Sequence, residues 1–387
     1  MKIKITDSVK YIGVNDYGIN LFESQYKLER GMAYNSYIIF DDKIAVMDGV
    51  DRIAEERWLT NLTFELGDKK PDYLVVHHLE PDHSASIDAF MERYPDAKIV
   101  LSQSAARMFP QFSDIPADKL IPVKENDTLT LGEHKLTFYM APMVHWPEVM
   151  VSYDEKDKIL FSADAFGKFG TVDADEDWAC EARRYYFNIV GKYGRQVQTL
   201  LKKLSSLEIK FICPLHGPII SDKVGEVVEL YKTWSSYEPE DRGVFIAVAS
   251  IHGNTLKAAE KLKKILEDKG CTRVAMSDLS REDIAECVED AFRHSVLVCM
   301  ASSYDGGVFM PMSDFINRLE HKGFQNRKVA LVENTTWAPS AIRTMKAEFE
   351  KMKNITILSN TVSIKTRLTK ENEKELEALA DDIMANL

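Results

Sequence analysis

Apolar and polar positions follow two different patterns along the chain. Through roughly the first 240 residues, short alternating or apolar runs predominate, as expected of half-buried and buried strands. Residues 1–14 (MKIKITDSVKYIGV) alternate in this way, with a strand placed at 8–14. Residues 37–47 (YIIFDDKIAVM) predict a hairpin turning at Asp41 and Asp42. Residues 51–66 have helical spacing, 73–76 (YLVV) form a buried strand, 86–93 a helix and 98–102 a strand. Strands follow at 127–131, 135–141, 149–153 and 158–162. Residues 183–204 read as one long helix, and 210–214 as a buried strand running into Leu215–His216–Gly217. Two strand-and-helix halves with polar residues at strand ends predict an αββα sandwich, an α+β arrangement.

The pattern changes across residues 234–243, a polar stretch carrying Pro239, where a linker is placed. Beyond it, apolar strands at 244–249, 273–276, 296–301, 328–333 and 355–358 alternate with helices at 254–268, 281–292, 312–319, 340–352 and 371–386. Five strands alternating with five helices predict an α/β domain with a doubly wound, parallel five-stranded sheet. The expected domains are 1–240 and 241–387, with no internal repeat and no low-complexity tract.

Composition narrows the class. A chain of 387 residues exceeds one ordinary domain, and 45% hydrophobic with 28% charged residues is the balance of a soluble globular protein. The formal net charge of −12 argues against non-specific binding to nucleic acid or an anionic membrane. Cys180, Cys213, Cys271, Cys287 and Cys299 form no C-x-x-C pair, which excludes a zinc ribbon, a thioredoxin-like motif or an appended rubredoxin-type module. Scattered, odd-numbered cysteines suit a reducing compartment. With no signal-peptide core and no apolar run of membrane-span length, a cytoplasmic, soluble protein is expected.

The densest chemistry lies in residues 73–83, YLVVHHLEPDH. The strand ends in His77, His78, Glu80, Asp82 and His83, and Pro81 places the last of these on the turn that follows. Imidazoles and carboxylates crowded at a strand end are costly to bury without a partner, and one or two divalent metals are the simplest one. His145, Asp164 and His216 also follow strands. Taken singly, each such His reads as a hydrogen-bonded structural residue, and Asp164 as a cap. Together, His78, Glu80, Asp82, His83, His145, Asp164 and His216 are too many ligands for one tetrahedral zinc and suit two metals sharing a carboxylate. Oxygen and imidazole donors without thiolate favour iron or manganese. Strand alternation turns His77 away from His78, into the core or behind the ligands. His134, His294 and His321 lie in ordinary charged surroundings and are left out.

With these residues in place, the chain resembles the flavodiiron proteins (A-type flavoproteins), in which a metallo-β-lactamase-like domain is fused to a flavodoxin-like one. The resemblance covers essentially the whole chain, including Tyr34–Asn35–Ser36–Tyr37 and His145–Trp146–Pro147. Hydrolases of the first fold carry His-x-His-x-Asp-His, so Glu80 puts a harder oxygen where they have nitrogen, a change toward iron. The resemblance implies that His78, Glu80 and His145 hold one iron, that Asp82, His83 and His216 hold the other, and that Asp164 bridges them.

In the second half, Ser250, His252, Gly253, Asn254 and Thr255 join the first strand to its helix, offering hydroxyls and a helix N-terminus to a phosphate. The three glycines of a dinucleotide fingerprint are missing, which favours a mononucleotide over NAD. The turn alone is equally a plain helix cap. Two further strand-end loops add to it: Ser302, Ser303, Tyr304, Asp305, Gly306 and Gly307, then Asn334, Thr335, Thr336 and Trp337. Tyr304 and Trp337 could flank a flavin ring or serve as surface aromatics. These loops resemble the three FMN loops of flavodoxins and of the flavodiiron family.

The function so implied is an oxidoreductase passing electrons from FMN to a non-haem, carboxylate-bridged di-iron site that reduces O2 to water, NO to N2O, or both. Zinc has no redox chemistry, so a flavin domain joined to a zinc hydrolase would serve no obvious end. The alternatives are a di-zinc hydrolase with an accessory flavodoxin-like domain, and a flavodoxin-like carrier with a vestigial metal domain. Relatives draw electrons from rubredoxin or, in some cases, a deazaflavin. With no cysteine pairs of its own, this chain is expected to need an external donor, rubredoxin first. The resemblance further implies a head-to-tail homodimer or dimer of dimers.

Overall fold

A computed structural model of the chain describes residue 3 and residues 5–387. Residues 1, 2 and 4, part of the alternating N-terminal run, lie outside the described residues. The chain divides into two compact units, Met1–Lys232 and Thr233–Leu387.

The first unit is built on two sheets. One runs in the order Val9–Tyr11, Tyr37–Ile39, Ala45–Met47, Tyr73–Val76, Lys98–Ser102 and Leu120–Val123. Its first three strands pair antiparallel and the rest parallel. The other sheet is a meander, Thr128–Thr130, Lys135–Met140, Met150–Asp154 and Ile159–Phe161, closed by the parallel strand Phe211–Cys213. The facing side chains alternate inward and form one core: Val9, Ile39, Met47, Val75 and Val100 from the first sheet meet Leu136, Phe138, Met150 and Phe161 from the second. Helix Glu55–Leu66 packs its Trp58 and Leu62 into the interior, and Trp58 Nε1 donates to Ser36 Oγ at 2.9 Å.

The second unit is a parallel sheet with sequence-order strands arranged 2-1-3-4-5: Val274–Asp278, Asp241–Ala249, His294–Tyr304, Arg327–Thr335, and a fifth position filled twice, by Ile355–Ile357 and Val362–Lys365. Covered on both faces, the strands read as continuous apolar runs rather than alternations. Val244, Ile246 and Val248 pack with Leu262 and Leu266 of helix Asn254–Asp268 and with Leu376 and Leu379 of helix Lys370–Ala385. This is the flavodoxin-like order, with its switch point at the first strand's C-terminal end.

Four expectations need correction. The 8–14 strand is two pieces, Val9–Tyr11 and Val14–Asp16, the second paired to Met32–Tyr34. The 183–204 helix is broken. Helix Trp178–Tyr185 passes through a π-turn, Tyr186–Val190, and a 3-10 turn, Gly191–Tyr193, before helix Gly194–Leu204. Gly191 and Gly194 weaken the helix just where large aromatics must be seated, and apolar spacing alone does not reveal that. The 234–243 stretch is not a single linker: helix Val224–Ser236 runs into it, carrying buried Tyr231 and Trp234, and a strand begins at Asp241. The residues after Pro81 form a short helix, Pro81–Ser84, rather than a loose turn, because proline suits the first helical position. No helix among the described residues is long and apolar enough to cross a membrane.

Candidate functional site

Each of the seven sequence-selected ligands of the first unit sits where a strand gives way to a loop or helix. His78 and Glu80 follow Tyr73–Val76, and Asp82 and His83 ride on the Pro81–Ser84 helix. His145 lies between the strands Lys135–Met140 and Met150–Asp154, Asp164 follows Ile159–Phe161, and His216 follows Phe211–Cys213. The structure gathers them into two groups: His78, Glu80, His145 and Asp164, and beside it Asp82, His83 and His216.

Asp164 joins the groups. Its Oδ2 lies 3.3 Å from both His78 Nε2 and His145 Nε2, while its Oδ1 lies 3.4 Å from His83 Nε2 and 3.5 Å from His216 Nε2. In the first group, Glu80 Oε2 is 3.2 Å from His78 Nε2 and 3.0 Å from His145 Nε2. In the second, Asp82 Oδ2 is 3.3 Å from His83 Nε2 and 3.2 Å from His216 Nε2. One carboxylate with an oxygen turned to each group is the arrangement of a bridging ligand.

Both oxygens of Asp82 and both of Asp164 are buried without a satisfactory hydrogen bond. Buried anionic oxygens so placed require cations. Burial alone pushes the Glu80 carboxyl up, yet His145 and His78 hold it at about 2. Asp164 is likewise held well below the usual carboxylate range against its burial, by His145 and His83. Burial opposes protonation of His145, but Asp164 and Glu80 lift it to about 9. His78 is raised by Glu148 and Glu80 against its burial, and His83 by Asp82 and Asp164. Protons on the imidazoles meet part of this demand for positive charge; two divalent cations meet it with donor atoms from all seven side chains. Four nitrogens and three carboxylates, with no thiolate, suit iron or manganese.

The supporting residues were not singled out from sequence. Glu148 Oε1 contacts His78 Nδ1 at 2.7 Å and accepts from Leu79 N at 3.0 Å, and His216 Nδ1 donates to Ala33 O at 2.7 Å. Partners of this kind orient metal-binding imidazoles. An aromatic wall stands behind His216: Phe22 meets it edge-on at 5.3 Å and Tyr185 lies at 5.7 Å. His77 points into the core as expected, held between Asp48 Oδ2 at 2.5 Å and Ser152 Oγ at 2.7 Å. His134, read as ordinary and charged in its surroundings, is fully buried between Asp154 at 3.0 Å and Ser8 at 2.8 Å.

The second unit carries a cavity of about 470 Å³ at the C-terminal end of its sheet, a volume suited to a nucleotide-sized ligand. His252, Asn254, Thr255, Ser302, Ser303, Tyr304, Asp305, Gly306, Asn334, Thr335, Thr336 and Trp337 all line it. Ser250, Gly253 and Gly307 are not among the lining residues. Ser250 Oγ accepts from Gly253 N at 3.0 Å, and Gly307 pairs with Tyr304. Gly253 is left-handed at φ 83° ahead of helix Asn254–Asp268, and a Cβ there would meet no atom within 4 Å, so the loop opens onto free space. The helix N-terminus, with its unpaired N–H groups, and the hydroxyls of Thr255 and Ser302 form a neutral cradle for a phosphate. Tyr304 and Trp337 are exposed at 47% and 89%, available to cover a planar ring. Ile251, Ala338, Ser340 and Thr366 line the cavity too and were not anticipated.

A sequence model of the ODP family beta lactamase matches residues 32–217. The chain is 29% identical over 355 residues to the anaerobic nitric oxide reductase flavorubredoxin of Aliivibrio fischeri, covering 88% of this chain and 71% of that one. It is similar in structure to the rubredoxin oxygen:oxidoreductase of Desulfovibrio gigas, with a TM-score of 0.91 at 25% identity, over 100% of this chain and 98% of that one. The flavodiiron protein of Giardia intestinalis shares the fold, with a TM-score of 0.91 at 22% identity over 100% and 97% of the two chains.

Proposed function

Because the chain belongs to the flavodiiron proteins, we propose that it is an FMN-dependent di-iron oxidoreductase that reduces O2 to water and also accepts NO, forming N2O. The bridging placement of Asp164, one oxygen toward each ligand group, is the observation that carries this reading. His78, Glu80 and His145 would hold one iron and Asp82, His83 and His216 the other. Iron held there would supply redox chemistry, and FMN held in the second unit would supply the electrons.

The chain's own residues shape the rest. Glu148 and the Ala33 carbonyl fix the orientation of His78 and His216, so that their Nε2 atoms face inward. Phe22, Tyr185 and their neighbour Phe169 form an aromatic wall that excludes water from the His216 side. Asn254, Thr255 and Ser302, which line the cavity, would hold the flavin phosphate, and Tyr304 and Trp337 would cover the ring. Electrons come from a rubredoxin-type donor. A hydrolase would have no use for the second cavity, and Glu80 in place of an imidazole speaks against a di-zinc site.

The test uses protein loaded with iron and FMN, kept anaerobic, with a reduced rubredoxin as donor and electrodes for O2 and NO. Rapid O2 loss without peroxide is the expected result, with NO consumed more slowly. NO loss outrunning O2 loss would reverse the substrate order. Metal-replete protein that consumed neither gas would end the oxidoreductase reading.

A further inference from the structure

The cavity of the second unit has an unusual charge for a site assigned to a phosphate-bearing flavin. Among the described residues its lining contains no lysine and no arginine, one histidine, His252, and one carboxylate, that of Asp305. That carboxylate is carried at the tip of a tight turn. Ser303 pairs with Val308 and Tyr304 with Gly307, which leaves Asp305 and Gly306 as the two central residues of a hairpin. Their φ values of 49° and 72° are both left-handed, the type I′ geometry that matches strand twist. The base of the hairpin is tied down. Ser303 Oγ accepts from the backbone N–H of Ser340 at 3.1 Å and of Ala341 at 3.2 Å, and Ser340 Oγ donates to Gly307 O at 2.7 Å. Asp305 therefore lines the cavity from the tip of a pinned turn.

We propose that Asp305 sets the reduction potential of the flavin held in this cavity, by fixing a negative charge against a ring that becomes anionic on reduction. The inference rests on the FMN reading of the cavity. At neutral pH, full reduction takes two electrons from the donor and one proton from solvent, and turns a neutral ring into a monoanion. A fixed carboxylate leaves the neutral reactant almost unaffected and repels the anionic product, with no lysine or arginine among the described lining residues to offset it. The equilibrium moves toward the oxidised form. The reduced flavin is thereby a stronger reductant toward whatever accepts its electrons. Asp305 is a positioning charge that takes no part in bond making.

The experiment is spectroelectrochemical titration of the full chain loaded with FMN, comparing the wild type with Asp305→Asn and Asp305→Glu at low and high salt. Asparagine tolerates the left-handed turn, so the hairpin survives the first change. The expected result for Asp305→Asn is a tenfold shift of the two-electron equilibrium toward reduced flavin, a rise of about 30 mV. Asp305→Glu stays at the wild-type midpoint, and the difference between wild type and Asp305→Asn shrinks at 1 M salt, where charges are screened within about 3 Å. By linkage, Asp305→Asn binds reduced flavin roughly tenfold more tightly relative to oxidised flavin than the wild type does. A shift of less than twofold in FMN-replete Asp305→Asn overturns the proposal alone, as does an equal shift in Asp305→Glu. Wild-type protein that takes up no FMN overturns the cofactor assignment and the proposal with it.

Discussion

At the level of single residues, the metal centre depends on side chains that bind nothing themselves. Glu148 spends one oxygen on both His78 Nδ1 and Leu79 N, so it fixes the ring and the backbone that carries it. Replacing Glu148 with alanine is expected to weaken iron retention and activity by about 10–100-fold, while Glu148→Gln, which keeps an acceptor but loses the charge, falls between. Iron per chain after desalting, measured by elemental analysis, checks this; full retention in Glu148→Ala would reject the orienting role. The seven clustered candidate ligands were legible in the sequence because their types and their positions after apolar runs are local properties. Glu148, Tyr185 and the Ala33 carbonyl were not. Each is defined by what it touches across the fold: Glu148 is 70 residues from His78, and Ala33 is 183 from His216.

At the level of elements, one small junction joins the two sheets of the first unit beneath the second ligand group. Asn35, fully buried ahead of the Tyr37–Ile39 strand, donates from Nδ2 to Pro214 O and Gly217 O, each at 2.8 Å. Tyr37 Oη donates to Pro214 O as well, at 2.6 Å. Asn35→Ala therefore leaves the Gly217 carbonyl without its side-chain donor, at a cost of about 1–3 kcal/mol. For a unit of this size that corresponds to a fall of roughly 2–12 °C in melting temperature. Calorimetry reads the stability, and the loop carrying His216 should also lose iron more readily to a chelator; unchanged melting would show that water replaces the amide without loss. Strand positions such as Tyr73–Val76 and Lys98–Ser102, and the helix Asn254–Asp268, agree with their apolar patterns to the residue. The 183–204 helix did not, since its interruption serves the packing of Tyr185 and Tyr186 against distant partners.

At the scale of the whole molecule, the two units are expected to respond to different ligands and to pH in different ways. In the first, Asp82 and Asp164 bury oxygens that need cations, so bound metal contributes folding stability. Chelating the metal should lower the melting temperature of that unit by about 5–10 °C, the effect of a ligand present at about 100 times its Kd. A melting curve that ignores the chelator would mean that the cluster is satisfied without metal. In the second, His294 is buried and its Nδ1 donates to Asp290 O at 3.0 Å. Burial lowers its pKa below 6.5, and the hydrogen bond to Asp290 only partly offsets this. The folded state then binds the proton less well than the unfolded state. Stability is at its full value above about pH 6.5, falls as the pH drops through that value, and levels off below the folded pKa. Urea titrations between pH 7.5 and 5 should show His294→Gln losing less stability than the wild type over that interval; equal losses would reject the assignment.

The sequence by itself determined the parts whose causes are local. Alternating strands gave way to strand–helix repeats, which carried the two-unit plan and the parallel order of the second sheet. The ligand types at strand ends carried the metal chemistry, and three strand-end loops carried the flavin cavity. The tertiary structure decided which oxygen of Asp164 faces which imidazoles, which residues steady those imidazoles, where the aromatic wall stands and how Asp305 lines the cavity from a pinned turn. The division has a physical reason. Periodicity and residue type act over a few neighbours and are written in order along the chain, whereas burial, charge coupling and hydrogen-bond partnership arise only when residues far apart in sequence are brought within a few ångströms.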